Sequence, residues 1–107
     1  MTQPSFALQA EQTLEDLMER MGAVDALADL DMDLVDGVLT VEFDDGGQLI
    51  LNRQEAVRQL WLASPEGPAH FRFDADAGQW LDERTGDEMV SVLQRVLGRR
   101  VGQDIRL

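Results

Sequence analysis

The hydrophobic period of the chain changes twice, and this change restricts the fold more than any other feature. Apolar residues recur at helical spacing from Ala7 to Met21, alternate with polar residues through several short runs, and return to helical spacing after Thr85. Turn signals such as Asp36-Gly37 and Asp45-Gly46-Gly47 separate the alternating runs, which is typical of antiparallel hairpins. The sequence therefore predicts a helix, a strand meander and a second helix.

The first strand is predicted to begin at Asp29, where aspartates start to alternate with apolar residues. Further strands are predicted over residues 38–44, 48–52, 58–63, 69–74 and 79–81. Short connections and a helix at either end favour an α+β fold: a two-layer α-β sandwich with both helices on one face of a five- to six-stranded antiparallel sheet. The length of 107 residues fits one domain over residues 1–107.

Capping residues predict where the second helix begins and ends. Thr85 and Glu88, three residues apart, predict a capping box at its start, and Gly98 is predicted to end it. Its apolar face is predicted to contain Met89, Val90, Leu93, Val96 and Leu97. The apolar residues Val101, Ile105 and Leu107 are expected to fill the groove between the two helices.

Charge is distributed unevenly along the chain. Twenty-one acidic residues oppose nine basic ones, all arginine, for a net charge of −12, and residues 1–45 hold twelve of the acids with Arg20 as their one arginine. Such a field repels nucleic acids and anionic lipid surfaces, so neither is an expected partner. A cationic partner is expected at the acidic segment instead.

The sequence lacks cysteine and any apolar run long enough to span a membrane, and both facts restrict the possible functions. The chain has no cysteine, which excludes disulfides, thiolate catalysis and metal sites built on its own thiolates. No apolar run reaches the length of a membrane span and the first residues do not form a signal peptide, so a cytoplasmic location is expected.

Asp29, Asp31 and Asp33 look like the opening of a calcium loop, but Leu34 and Thr40 stand where that loop needs glycine and glutamate. On a strand the three carboxylates instead share one face, where they can hold a hard cation only loosely. Iron, magnesium, manganese and calcium all suit oxygen ligands. The alternative is an acidic face that only solubilises the protein.

Strand parity exposes a tryptophan. Leu60 and Leu62 are expected to point into the core, which places Gln59, Trp61 and Ala63 on the open face of the sheet. The same parity exposes Ile50, Asn52, His70 and Arg72. An exposed indole on a sheet favours a protein-binding patch over a ring that merely lies across its neighbours.

Enzymatic catalysis is not expected. His70 is the only histidine, and the chain lacks the common nucleophile, nucleotide-binding and zinc-protease motifs. The many carboxylates lack any sign of the desolvated cleft that acid–base catalysis needs.

The residues from Asn52 to Ala63, with their Asn-x-Gln-x(4)-Gln-x-Trp pattern, resemble the frataxin family, specifically its bacterial CyaY-type members. The preceding Gly37–Phe43, the following His70-Phe71, the later Gln79-Trp80 and Arg84-Thr85-Gly86, and the acidic first helix and strand extend the resemblance along nearly the whole chain. One departure is Met21-Gly22-Ala23, where bacterial relatives often carry consecutive acids.

The resemblance implies an α-β sandwich that binds ferrous or ferric iron weakly on an acidic ridge and acts in iron–sulfur cluster assembly. The implied partners are cysteine desulfurase and the cluster scaffold protein, with the chain as an iron-linked regulator, an iron donor or chaperone, and a monomer without iron. Carried over by position, the iron ligands are Glu15, Glu19, Asp25, Asp29, Asp31 and Asp33, and the partner-binding residues are Asn52, Gln54, Gln59, Trp61 and His70. The alternatives are a ferroxidase that stores iron and a generic acidic adaptor.

Overall fold

A computed structural model describes residues 5–107. Helix α1 (Phe6–Gly22) and a 3₁₀ turn (Asp25–Leu27) precede six strands, which are followed by helix α2 (Met89–Val101). The strands are β1 (Asp31–Val35), β2 (Val38–Glu42), β3 (Gln48–Gln54), β4 (Gln59–Ala63), β5 (Ala69–Asp74) and β6 (Gln79–Asp82), with a 3₁₀ turn (Glu55–Val57) between β3 and β4.

The six strands form one antiparallel sheet in the order β1-β2-β3-β4-β5-β6, so every strand pairs with its neighbours in sequence. Asp36 and Gly37 both have positive φ, at 51° and 77°, as the two-residue turn between right-twisted strands requires. The predicted α+β sandwich of two helices on one face of this sheet is confirmed.

The core lies between the sheet and the helices. Leu49 and Leu51 of β3, Leu60 of β4 and Phe71 of β5 are fully buried, because alternate side chains of each strand face the helical layer. They pack with the apolar stripes of α1 and α2, which include Ala10, Leu14, Leu17, Met21, Met89, Val92, Leu93, Val96 and Leu97. Val92 replaces the predicted Val90 on the buried face of α2, since Val90 is only partly buried.

The predicted start of the first strand is wrong by two residues. Asp29 lies in the turn that follows the 3₁₀ turn, and β1 begins at Asp31. Asp25 opens the 3₁₀ turn, so the chain makes two tight turns before it can become extended. Only Asp31 and Asp33 therefore keep the shared face that strand alternation gives them.

Both predicted ends of α2 are also wrong. Glu88 is the N-cap, because its carboxylate accepts hydrogen bonds from the backbone of Val90 and Ser91, while Thr85 accepts one from the backbone of Asp87 in the preceding turn. Gly98 lies inside the helix, which ends at Gly102 with φ 71°.

Gly98 serves the packing of the tail instead of ending the helix. A Cβ at this position would lie 2.9 Å from the carbonyl oxygen of Gln103, so only glycine lets the chain fold back so closely. The returning tail buries Ile105 in the core and donates the Leu107 backbone N–H to the side chain of Gln94.

Neither helix of residues 5–107 has the length and apolarity to cross a membrane.

Candidate functional site

The open face of the sheet, opposite the helices, brings the predicted partner-binding residues together. Asn52 of β3, Trp61 of β4 and His70 of β5 are consecutive partners across the sheet, and Gln54 pairs with Gln59 two residues further along the strands. Strand alternation puts them there, because their chain neighbours Leu51, Leu60 and Phe71 point into the core. Their role in partner binding stays a prediction.

Trp61 is held in place from two sides. Its indole stacks on the His70 ring at 4.2 Å between centroids and 12° between planes. Its Nε1–H donates a 2.7 Å hydrogen bond to Oε1 of Gln59. The half-buried ring therefore has a fixed orientation before any partner arrives.

Gln59 does not lie open to solvent as parity predicted. It is on the open face by register, yet only 3% of its surface is exposed. The Trp61 indole donates a hydrogen bond to the side-chain carbonyl oxygen of Gln59 and so lies against this side chain. Parity identifies the face of a residue but not the side chains that cover it.

A second amide pair lies beside the first. Nε2 of Gln54 donates a 2.6 Å hydrogen bond to Oδ1 of Asn52, so these two side chains also hold each other. The face presents an ordered row of amides and rings instead of a set of freely rotating side chains.

Glu83 belongs to this face, and sequence reasoning missed it. Its carboxylate oxygen Oε2 lies 3.4 Å from Nδ1 of His70, and its backbone N–H donates to the His70 carbonyl oxygen at 2.9 Å. These two residues line a cleft of about 360 Å³. No sequence spacing predicts this contact, because twelve residues, including the turn between β5 and β6, lie between them in the chain.

The acidic residues form a second surface along the β1 edge of the molecule, which we call the acidic ridge. Helix α1 packs beside β1, so the acids of the helix and of the strand flank the same edge. All six predicted iron ligands are exposed there: Glu15, Glu19, Asp25, Asp29, Asp31 and Asp33. Glu11 and Glu15 face Asp36 across a cleft of about 360 Å³ that Arg53 also lines.

The six predicted ligands are free of ion pairs within residues 5–107, whereas other acids of the same segment are paired. Asp16 pairs with Arg20 at 3.0 Å on α1, and Asp45 pairs with Arg100 of α2. The backbone N–H of Gly47 and the Arg100 guanidinium hold the pKa of Asp45 below its ordinary value. The unpaired acids are thus left to solvent or to a cation.

The acidic ridge is not a closed metal cage. Across the described part of the chain, no three histidine, aspartate or glutamate side chains stand close enough to hold one ion. Asp31 instead has Glu42 of β2 as its partner across the strands, which gives two carboxylates on one face. Glu42 was not among the predicted ligands, since strand alternation alone does not reveal which residue lies opposite.

Known proteins resemble this chain over nearly its full length. The family model described as frataxin-like domain matches residues 1–103. A relative from Thioalkalivibrio sulfidiphilus, named iron-sulfur cluster assembly protein CyaY, is 67% identical over 103 residues, 96% of each chain. A protein of the same name from Pseudomonas putida is 42% identical over 95 residues, which is 89% of this chain and 82% of that one.

Solved structures show the same likeness. Frataxin from Psychromonas ingrahamii matches with a TM-score of 0.72 and 33% identity, covering 94% of this chain and 89% of its own. Trimeric frataxin from Saccharomyces cerevisiae, complexed with ferrous iron, matches with a TM-score of 0.72 and 27% identity, covering 96% and 91% of the two chains.

Proposed function

This chain belongs to the frataxin-like family, and from that premise we propose that it is an iron-binding protein that acts in iron–sulfur cluster assembly. In this proposal it regulates cysteine desulfurase in response to iron and passes iron to the scaffold protein. The role is one of binding rather than of catalysis. We propose the cytoplasm as its location.

The proposal rests on the exposure of the carboxylates of the acidic ridge and on their lack of arginine partners within residues 5–107. Six exposed carboxylates line α1, the following turns and β1 without an arginine partner among residues 5–107. Residues 1–45 carry a net charge of −11. Acids that only keep a protein soluble do not need to be concentrated in one segment in this way. A cation or a basic protein surface relieves their mutual repulsion.

Iron suits this surface as a cargo. Ferrous and ferric ions accept carboxylate oxygens, and pairs such as Asp31 with Glu42 supply two of them while water completes the shell. Because such a pair leaves most of the coordination shell to water, binding is weak and reversible. Weak binding fits a protein that senses or hands over iron.

Charge also determines how the protein meets its partner. The acidic ridge is complementary to an arginine-rich surface of the desulfurase, which raises the rate of encounter and makes binding sensitive to salt. Iron bound on the acidic ridge removes part of this charge and so changes docking. The Trp61 face supplies a separate, largely uncharged contact for the scaffold protein.

The test is binding of the full chain to cysteine desulfurase and, separately, to the scaffold protein, with and without ferrous iron, at low and high salt. We expect salt-sensitive binding to the desulfurase that shifts when iron is added. Absence of binding in every condition contradicts the proposal.

Two controls separate the alternatives. Displacement of iron by excess magnesium, with partner binding unchanged, favours a generic acidic adaptor. Oxygen consumption with ferrous iron, together with growth of large oligomers in sedimentation, favours a ferroxidase that stores iron.

A further inference from the structure

The methionines of residues 5–107 fall into two classes by exposure. Met21 and Met89 are buried in the core, at 0% and 1% exposure. Met18 of α1 and Met32 of β1 are only partly buried and pack against the core. Because the chain has no cysteine, methionine supplies all of its sulfur. The two partly exposed thioethers therefore lie on the helix and the strand that carry much of the acidic ridge.

Met18 and Met32 lie on facing sides of the seam between α1 and β1. Leu14 and Leu34 line one cleft at this seam, and the short connection after α1 makes β1 run back along it. One helical turn on from Leu14, about 6 Å along α1, stands Met18. Two residues back from Leu34, about 7 Å along β1, stands Met32. The two thioethers are therefore the next facing pair of side chains on the seam.

Carboxylates of the acidic ridge flank this pair. Glu15 lies three residues before Met18, a spacing that puts two side chains next to each other on a helix. Asp31 and Asp33 stand on either side of Met32 in β1, with their side chains toward the other face of the strand. An iron ion bound by Glu15 therefore lies beside Met18 and across the seam from Met32.

We propose that Met18 and Met32 are a modification site, at which hydrogen peroxide activated by iron on the acidic ridge converts the thioethers to methionine sulfoxide. The inference rests on the proposed function, because it needs iron bound at the acidic ridge. It adds a reversible change of the protein to that function, since methionine sulfoxide reductases restore the thioether.

The chemical step transfers one oxygen atom. The O–O bond of hydrogen peroxide breaks, one oxygen forms the S–O bond of the sulfoxide, and the other leaves as water with both protons. The sulfur gives up two electrons and the peroxide takes them. Iron holds and polarises the peroxide beside the sulfur and is not consumed in this balance.

Oxidation changes the packing of the seam. A thioether is flexible and apolar, whereas a sulfoxide is polar and needs a hydrogen-bond donor. Met18 and Met32 pack against the core through their apolar parts, so a sulfoxide oxygen there turns toward water and pulls the side chain with it. The oxidised protein is therefore expected to hold α1 less tightly against β1.

The first test maps the oxidation. The wild type is treated with hydrogen peroxide, either with ferrous iron or with a chelator in its place, and sulfoxide at each methionine is followed by fragment-ion mass spectrometry. We expect Met18 and Met32 to gain oxygen several-fold faster with iron, and Met21 and Met89 to show no such gain. Met89 is a strict internal standard, because it follows Glu88, a carboxylate already occupied by helix N–H groups.

Carboxylate variants test whether bound iron directs the reaction. Glu15→Gln/Glu19→Gln removes two carboxylates of the acidic ridge on either side of Met18, and Asp74→Asn/Asp76→Asn removes the same number of charges near β6. We expect the first variant to lose most of the iron-dependent oxidation of Met18 and the second to keep it. Calorimetric iron titration of both variants shows whether the loss follows the loss of bound iron.

Thermal melting tests the effect on the seam. Met18→Leu/Met32→Leu keeps apolar side chains of similar volume and removes both sulfur atoms, and Met89→Leu is the matched control. We expect iron with peroxide to lower the thermal midpoint of the wild type and of the control, and to leave that of the double leucine variant unchanged. Methionine sulfoxide reductase is expected to restore the midpoint of the wild type.

Four outcomes overturn the inference. If the wild type binds iron but Met18 and Met32 oxidise no faster with iron than with chelator, the proposed function stands and the modification site fails. Equal oxidation of all four methionines overturns it, because the oxidant then acts without direction from the acidic ridge. An unchanged midpoint of the oxidised wild type overturns the effect on the seam. If the wild type binds no iron, the proposed function fails together with the inference.

Discussion

At the scale of single residues, the neighbours of Trp61 fix the orientation of its ring, which is the proposed anchor for a partner. His70 covers one face of the indole and Gln59 accepts its N–H, so the ring loses little conformational freedom when a partner binds. Rigid aromatic side chains of this kind are frequent hot spots of protein interfaces.

Replacement of Trp61 tests this role. Trp61→Ala is expected to weaken partner binding by about 2 kcal/mol or more, because the anchoring ring is lost, while the thermal midpoint stays near that of the wild type. Calorimetric titration and thermal melting measure the two quantities. Trp61→Phe keeps a smaller aromatic ring beside His70 and removes the N–H, so it tests whether an aromatic contact without the Gln59 bond is enough for binding. Unchanged affinity of the alanine variant removes Trp61 from the mechanism.

Asp45 yields a pH-dependent prediction. Its pKa lies below the ordinary value of 3.8 because the Gly47 backbone N–H and Arg100 stabilise the carboxylate. The folded-state pKa is lower than the unfolded one, so the resulting stabilisation is complete above pH 3.8 and disappears as the pH falls through the folded value.

The variant Asp45→Asn isolates this effect, because the amide can still accept from Gly47 but carries no charge for Arg100. We expect the difference in free energy of unfolding between the wild type and the variant to shrink as the pH is lowered from about 5 to about 3. Urea unfolding at several pH values measures it. A difference that stays constant over this range contradicts the assigned cause.

At the scale of elements, the tail after α2 is part of the core. Gly98 and Gly102 allow the chain to turn back, and Ile105 becomes 2% exposed against the helical layer. The sequence predicts that Val101, Ile105 and Leu107 fill the groove between the helices. Ile105 is buried in the core, whereas Val101 belongs to α2 and, like Leu107, is only partly buried.

Ile105→Ala is expected to lower the free energy of unfolding by about 2–4 kcal/mol, since it removes a buried side chain and leaves a cavity. Urea unfolding monitored by fluorescence measures the loss. Arg106→Ala is the control, because that side chain is 82% exposed and its pair with Asp104 lies in solvent. Equal stability of the Ile105 variant and the wild type refutes the structural role of the tail.

The central prediction on iron concerns Asp29, in the turn before β1, and Asp31, the first residue of β1. Asp29→Asn/Asp31→Asn is expected to weaken ferrous iron binding several-fold without unfolding the protein, because Asp31 faces Glu42 and loses repulsion when neutralised. Iron titration followed by calorimetry measures the affinity. Asp74→Asn/Asp76→Asn, at the end of β5 and in the turn before β6, removes the same number of charges far from the acidic ridge. If the double variant binds iron like the wild type, these two residues are not ligands.

At the scale of the whole molecule, the acidic ridge is a source of electrostatic repulsion as well as the proposed cation-binding surface. A net charge of −12 on 107 residues makes the compact state repel itself, and most of the imbalance lies along one edge. A bound cation therefore stabilises the fold and occupies the proposed site at the same time.

We expect the thermal midpoint to rise when salt increases from about 10 mM to 100 mM, since the screening length falls from roughly 30 Å to 10 Å. Differential scanning calorimetry measures the rise. The variant Asp29→Asn/Asp31→Asn/Asp33→Asn is expected to show a smaller rise, because it removes three charges from the acidic ridge. A midpoint that does not change with salt contradicts significant self-repulsion.

The sequence by itself determined what depends on local order: the two hydrophobic periods, the tight turns, the face of each strand residue and the concentration of acids in the first 45 residues. It therefore predicted the sandwich and the shared face of Asn52, Trp61 and His70. The tertiary structure alone decided the burial of Gln59, the pairing of Asp31 with Glu42, the approach of Glu83 to His70 and the place of Gly98 inside α2. Each of these depends on the side chains or backbone that another segment brings close, and a one-dimensional pattern does not contain that information.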